Sequence, residues 1–277
     1  MRMFTSEILC VGDELLSGIT INTNAYWISQ KITEAGGSVK RITVIKDDVD
    51  EISLGVRASI ARKPNWLILS GGLGPTYDDK TMQGVASGLG LELVVDKIAL
   101  DMLKTSYARH STNYELNDIR LKMAKIPIGS KPIQNPVGSA PSVLIETGET
   151  KIVCLPGVPG EMEAIFLESI LPQMKKIIGD FHIVESNYEM VDVSEAMLAP
   201  TISEIVESNP PDSIYLKTHP IEYSSNTKNN KPQMRVQLVS KGNDKAEVQR
   251  RFNNISNMLL EEISRLNGKV VRSQDGR

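Results

Sequence analysis

Four carboxylates in this sequence stand in pairs where acid pairs are unexpected. Asp13 and Glu14 follow the apolar run of residues 7–11, inside G-D-E-L-L-S-G. Asp78 and Asp79 lie near the end of S-G-G-L-G-P-T-Y-D-D-K-T, which begins at Ser70. Gly71, Gly72 and Gly74 precede a helical pattern through Met82, Val85, Ala86 and Leu89. That is how an α/β protein builds an anion site: the glycines let backbone approach a ligand, and the helix start offers free N–H groups and a positive dipole end. The carboxylates would repel a bare phosphate. Either a divalent cation sits between, or the ligand offers hydroxyls and amines. A metal-activated water held by carboxylates is the chemistry this residue set suits.

Other familiar constellations are missing. There is no G-x-x-x-x-G-K-[ST], no G-x-G-x-x-G after the first apolar run and no G-x-S-x-G elbow. His110, His182 and His219 are scattered, with no H-E-x-x-H, so a Ser-His pair is a poor basis for catalysis. Cys10 and Cys154 each end an apolar run without Cys-x-x-Cys spacing, which points to small buried strand residues rather than a zinc or redox site.

The elements that position the acids follow from periodicity. The short run of residues 66–69 is a buried strand. Residues 7–11 and 39–45 are two more, and helical stripes cover 24–35 and 49–61. This β-α-β-α-β order with short connections predicts a doubly wound, mostly parallel sheet. The first and third strands feed the two acid loops directly. The loops at the carboxyl ends of strands line the ligand crevice in such a sheet, so Asp13, Glu14, Asp78 and Asp79 are expected to meet there.

Further along, 91–95 is a strand candidate, 97–108 and 115–124 are helices, and 131–141 is a turn-rich loop. Residues 142–146 and 151–155 form a hairpin, and the loop P-G-V-P-G-E-M opens another helix. Composition changes over 172–180. Strands then follow at 182–191, 213–217, 234–239 and 269–272, helices at 195–207 and 248–263, and a polar, flexible loop at 223–231. The chain therefore divides into 1–175 and a small α+β domain, 176–277.

At 277 residues the chain suits one large or two modest domains. A net charge of −3 gives no bulk electrostatic case for nucleic acid. No signal peptide opens the chain and no apolar run reaches the roughly 18 residues of a membrane span, so a cytoplasmic protein is expected.

Each candidate has a plainer explanation. Asp78 or Asp79 suits an N-cap or first-turn acid, worth about 1 kcal/mol to its helix, and Asp13-Glu14 can cap in the same way. In T-I-N-T-N, Asn24 is the expected helix cap, which leaves Asn22 for a ligand. Lys217, at a strand end in the second domain, is a solvated lysine by default and a phosphate contact, from a neighbouring subunit, by the sharper reading. Four acids, three glycines and two proline loops at strand ends are harder to dismiss as coincidence.

G-D-E-L-L-S-G, N-T-N, S-G-G-L-G-P-T-Y-D-D-K-T, N-P-V-G-S-A-P and L-P-G-V-P-G-E-M, in that order over roughly the first 175 residues, resemble the CinA family. They match its N-terminal domain, which is related to molybdopterin-binding proteins such as MoaB and MogA. The remainder resembles the small α/β domain that follows in CinA-type proteins. The chain ends before the place where longer relatives carry a nicotinamide-mononucleotide deamidase domain. The resemblance implies divalent-metal-dependent hydrolysis of pyrophosphates such as ADP-ribose or, in related eukaryotic domains, FAD. The metal would be Mg, Mn, Co or Ni. The MogA-like branch implies instead molybdopterin binding and adenylylation, and a homo-oligomer, dimer or trimer. A third possibility is a non-catalytic nucleotide-binding protein.

Carried over by motif, Asp78 and Asp79 are the metal and catalytic acids, with Asp13 and Glu14 beside them as metal ligands. Gly71, Gly72, Gly74 and Thr76 hold phosphate, with Gly12 in the neighbouring loop. Asn135, Gly138, Gly157, Pro159 and Glu161 line the remaining pocket. Ser142 departs from the family's usual glycine, and its side chain is expected to narrow that pocket.

Overall fold

A computed structural model describes residues 4–110, 117–221 and 233–275. The expected polar loop 223–231 and the first part of the expected helix 115–124 lie outside these residues. The chain forms two compact units, Met1–Ile178 and Gly179–Arg277.

The first unit is built on a six-stranded sheet. β1 (Thr5–Val11) is followed by the short α1 (Asp13–Leu16) and by α2 (Thr23–Glu34). Then come β2 (Ser38–Ile45), α3 (Val49–Ala61), β3 (Trp66–Ser70) and α4 (Thr81–Leu89). β4 (Leu93–Val95), α5 (Lys97–His110), α6 (Asp118–Leu121), β5 (Lys125–Pro127), β6 (Lys131–Ile133), β7 (Ser142–Thr147) and β8 (Thr150–Leu155) complete the sheet region. The strand order is β2-β1-β3-β8-β7-β6. The first four strands in this order are mutually parallel, β7 runs antiparallel to β8, and β6 runs antiparallel to β7.

Every residue of β3 is buried, as a central strand covered on both faces requires. Alternation sends Leu67 and Leu69 into one core with Ile52, Val56, Val85 and Leu103 from α3, α4 and α5. Trp66 and Ile68 therefore face the opposite side, where α2 meets α7 and Trp27 packs edge-on to Phe166 at 5.7 Å. Away from the site, at the start of β1, Glu7 is 4% exposed and takes a two-pronged bond from Arg62 at 2.7 and 2.6 Å.

One expectation needs correction. The segment 131–141 is not all loop, because β6 pairs with β7 before the turns begin. The helix opened by P-G-V-P-G-E-M continues past Pro172. α7 (Pro159–Ile165) passes through a wide turn, Phe166–Ile170, into α8 (Leu171–Ile178). Pro172 has no N–H to give the ladder, and the wide turn accommodates that loss just ahead of it.

The second unit contains β9 (His182–Val191), α9 (Glu195–Ser208), β10 (Ile214–Pro220), β11 (Gln233–Gly242), α10 (Lys245–Arg265) and β12 (Lys269–Asp275). Its antiparallel sheet runs β10-β11-β9-β12, the split β-α-β arrangement. Met190, Val236 and Leu238 meet Leu198, Ile205, Ile255 and Leu259 in its core. Among the described residues, no helix is long and apolar enough to cross a membrane.

Candidate active site

Strand order reverses at β1, which has β2 on one side and β3 on the other. The loops leaving the carboxyl ends of β1 and β3 diverge there and open a crevice. A cavity of about 290 Å³ lies in it, walled by Gly12, Glu14, Asn24, Asp47, Asp78 and Asp79 among others. A second cavity of about 590 Å³ shares Gly72, Asp79 and Gly157 with the first, so the two are lobes of one groove.

Gly71 makes the turn out of the sheet. Its φ is +109°, and a Cβ there would stand 2.2 Å from the Val11 carbonyl oxygen. Its N–H still pairs with Leu155 O at 3.0 Å. Beyond it, no hydrogen bond among the described residues uses the N–H of Gly72, Leu73 or Gly74. These three residues wall the larger lobe, so an anion there would find unpaired donors.

Asp78 and Asp79 are not helix caps. α4 starts at Thr81, behind Lys80, with no acid in its first turn. The Thr76 N–H and hydroxyl instead donate to Asp79 Oδ2 at 2.8 and 2.6 Å, and the same hydroxyl reaches Asp78 Oδ1. One hydroxyl hydrogen thus serves two carboxylates. The Thr76 hydroxyl and the backbone N–H of Asp78 hold the Asp78 carboxyl below its usual range, with Lys122 and Lys80 assisting. Thr76, expected to hold phosphate, has both its donors turned onto these acids, because the tight turn closes on itself.

Lys122 escaped sequence reasoning. From a 3₁₀ turn, Lys122–Ala124, its ammonium donates to the Thr76 carbonyl, 46 residues away in sequence. Burial lowers its pKa, against the pull of Asp79 and Asp78. Nothing in R-L-K-M-A distinguishes it from a solvated lysine on a helix.

Asp47 was missed too. It follows β2, lines the smaller lobe and accepts the Asp13 N–H at 2.9 Å. Burial raises its carboxyl above the usual range. The Asp13 N–H opposes this, and the charges of Glu14, Asp13 and Asp78 add to it. The available signal was K-D-D directly after a strand: Asp48 caps α3 through Asp50 N and Glu51 N, which leaves Asp47 over. Of the expected acid quartet, Glu14, Asp78 and Asp79 line the smaller lobe, whereas Asp13 contributes its backbone. Among the described residues, no three His, Cys, Asp or Glu side chains are grouped closely enough to hold a metal ion by themselves.

The two asparagines exchange their expected roles. Asn22 is the cap of α2, accepting Ala25 N–H at 3.1 Å. Asn24 donates to Ser70 Oγ at 2.9 Å and Gly157 O at 2.8 Å, which ties the ends of β3 and β8 to α2. Its buried Oδ1 has no partner. The preceding Thr23 already has helical neighbours, so the helix begins one residue earlier than apolar spacing suggests.

Asn135 is fully buried and all its groups are engaged. Its Oδ1 accepts from Val137 N and Gly138 N, and its Nδ2 donates to Ala140 O and to Glu161 Oε2 at 2.7 Å. Gly138, Gly157 and Glu161 wall the larger lobe, and Pro159 at the start of α7 walls the smaller. Ser142 does not narrow the pocket as expected. It is fully buried as the first residue of β7, lines neither lobe, and its Oγ lacks a partner. Lys217 lies exposed on β10 in the second unit, opposite Gln237. Burial raises the Cys10 thiol and pushes Cys154 up to about 12, so neither is an ionised nucleophile near neutral pH.

A family model described as "Probable molybdopterin binding domain" matches residues 7–176. The crystal structure of CinA from Thermoplasma acidophilum, described as a protein of unknown function, is 42% identical. The match covers 63% of this chain and 98% of that one, with a TM-score of 0.56. A protein of Saccharolobus islandicus is 38% identical over 273 residues, 99% of this chain and 100% of its own length. One from Sulfolobus acidocaldarius is 38% identical over 270 residues, 98% of each.

Proposed function

Since the chain belongs to the family of probable molybdopterin binding domains and is CinA-like over its first unit, we propose that its strand-end groove binds a diphosphate-linked nucleotide and hydrolyses the diphosphate with the aid of a divalent metal ion. The observation that carries this reading is the meeting of two opposite features in one groove. Unpaired N–H groups at Gly72, Leu73 and Gly74 offer bonds to phosphate oxygens. Glu14, Asp47, Asp78 and Asp79 stand beside them and call for a cation.

The donor set fits a hard cation. All its side-chain ligands are oxygens, and ions such as Mg²⁺ take one or two carboxylates and complete their shell with phosphate and water. A closed three-ligand cage is therefore not needed in advance. Burial raises the Asp47 carboxyl and the charges of Glu14, Asp13 and Asp78 add to this, and a nearby cation would oppose both. One or two of the carboxylates Glu14, Asp47 and Asp78 would hold it. When bound, such an ion neutralises the diphosphate and makes water more acidic. The chain's own residues do the rest. The three N–H groups orient the diphosphate. Thr76 fixes Asp79, which takes the proton of the attacking water. Lys122 holds the turn that carries both acids.

Incubation with ADP-ribose, FAD and other diphosphate nucleotides in the presence of Mg, Mn, Co or Ni should release a mononucleotide. Asp78→Ala and Asp79→Ala should each slow release by about 100-fold. Equal rates in variants and wild type would overturn the mechanism. The family's description favours a second reading, in which the same groove holds a pterin and receives an adenylyl group. That reading predicts ATP-dependent modification of molybdopterin and no diphosphate cleavage.

A further inference from the structure

The rim of the smaller lobe displays apolar side chains to solvent. Leu16 is 49% exposed, Ile19 and Ile21 are 82% each and Tyr26 is 71%, all between the end of α1 and the first turns of α2. Tyr77, in the acid loop after β3, is 89% exposed. Ile21 itself lines the lobe, as do the chain neighbours of Leu16, Ile19 and Tyr77. Tyr26 follows Asn22, another lining residue, by one helical turn. The five therefore ring the mouth of the lobe.

This rim is a fixed turn. The Thr20 N–H donates to Glu14 O at 3.1 Å, the Thr23 N–H donates to Ile21 O at 2.8 Å, and Asn22 caps α2. The isoleucines are thus held outward before anything binds, which lowers the ordering cost of a contact. Together the five side chains offer roughly 700 Å² of surface. That exceeds the largest apolar patch of a typical monomer, about 300–600 Å². It approaches the share of about 800 Å² that each partner gives to a standard interface.

Charge decides what covers it. From Leu15 to Gln30 the chain contains no Asp, Glu, Lys or Arg. Nucleic acid and anionic lipid surfaces both call for Lys and Arg. Depletion of charge with displayed tyrosine is the composition of a protein interface core. A neutral apolar patch is also its own complement, because a two-fold axis sets the same side chains against each other.

We infer that this rim is the contact of a two-fold dimer of the chain, in which each copy seats on the other's rim and shields the smaller lobe from water. The inference goes beyond the chemistry of the groove. It holds whether the ligand there is cut, modified or only held.

Sedimentation equilibrium of the full chain tests it. The mass should rise with concentration from 30.5 kDa to twice that value, with a micromolar Kd. Ile19→Arg and Tyr26→Arg should each weaken the dimer at least about ten-fold, as loss of an anchor does. Both side chains are exposed, so the melting temperature of the dilute monomer should not change. Leu54→Arg is the control. Leu54 is 60% exposed on α3, across the sheet from α2, and its variant should dimerise like wild type. Glu14 and Asp78 also line the lobe, so dimerisation brings like charges together and added salt should tighten it. A dimer that salt loosens is held by ion pairs and would overturn the inference. So would a monomer at every concentration, a trimer, or a dimer broken by Leu54→Arg and not by the rim variants. Should one rim variant fail to fold, the other and the wild-type mass still decide.

Discussion

The backbone N–H of Asp13 donates to the Asp47 carboxylate at 2.9 Å, which joins the loop after β1 to the loop after β2 at the floor of the groove. This bond opposes the upward push of burial and of three neighbouring acids on Asp47, and does not cancel it. A carboxyl whose folded pKa is raised helps stability most below its unfolded value, and that help is lost as pH rises through the folded one. At neutral pH the ionised Asp47 thus weakens the metal-free fold. Asp47→Asn keeps an acceptor for Asp13 and removes the charge. Its thermal midpoint without metal should rise by about 1–3 °C, while turnover with metal falls at least ten-fold. A variant that is both less stable and fully active would contradict this assignment.

Glu7 and Arg62 lie at the opposite end of β1 and should behave in the reverse sense. Burial raises the Glu7 carboxyl, but bonds from Arg62 and Ser59 outweigh it and hold the pKa below its ordinary 4.5. The resulting stability is fully present above the unfolded value and is lost as pH falls through the lower, folded one. Arg62→Ala leaves a buried charge unpaired and should cost about 3 kcal/mol at pH 7, since Arg62 itself is partly exposed. Denaturant midpoints measured from pH 3 to 7 should show the acid-side loss in wild type and its near absence in Glu7→Gln.

Lys122 holds the Thr76 carbonyl and stands near Asp78 and Asp79. Lys122→Met should free the turn that carries the acids. Diphosphate-nucleotide affinity should drop about ten-fold and turnover further, with only a small change in melting temperature. Lys122→Arg, which keeps the charge at a different reach, should recover part of the affinity. Equal losses in both variants would point to packing rather than charge.

The sheet was legible because its signals are local. The uniformly apolar run of residues 66–69, the helical stripes and the turn residues each act within a few positions, and β1 to β3 and their helices lie where these patterns put them. The glycine loop was legible for the same reason: Gly71 is needed where the chain passes the Val11 carbonyl. What stayed hidden depends on pairings distant in sequence. Lys122 and Thr76 are 46 residues apart, and Asp47 matters only because β2 neighbours β1. Ser142 misled although its strand was legible, because the pattern does not say what covers the strand's first side chain, which is buried and lines neither lobe.

The exchange of roles between Asn22 and Asn24 gives the sharpest contrast of neighbouring variants. Asn22 accepts one backbone N–H at the start of α2, so Asn22→Ala should cost about 1 kcal/mol of stability. It should leave the strand-end loops in place and change ligand affinity little. Asn24 makes two bonds, to Ser70 at the end of β3 and to Gly157 just after the neighbouring β8. Asn24→Ala leaves the Gly157 carbonyl and the Ser70 hydroxyl without that donor and should cost about 1–3 kcal/mol. Because Gly157 walls both lobes, the variant should also weaken diphosphate-nucleotide binding by ten-fold or more. Asn24→Asp is the finer probe. It keeps size and shape but turns the donor into a second acceptor facing the Gly157 carbonyl, so it should bind nucleotide no better than Asn24→Ala. Chemical denaturation and nucleotide titration of all three variants would separate the roles. If Asn22→Ala lost the ligand and Asn24→Ala kept it, the helix cap and the loop bridge would have to be reassigned.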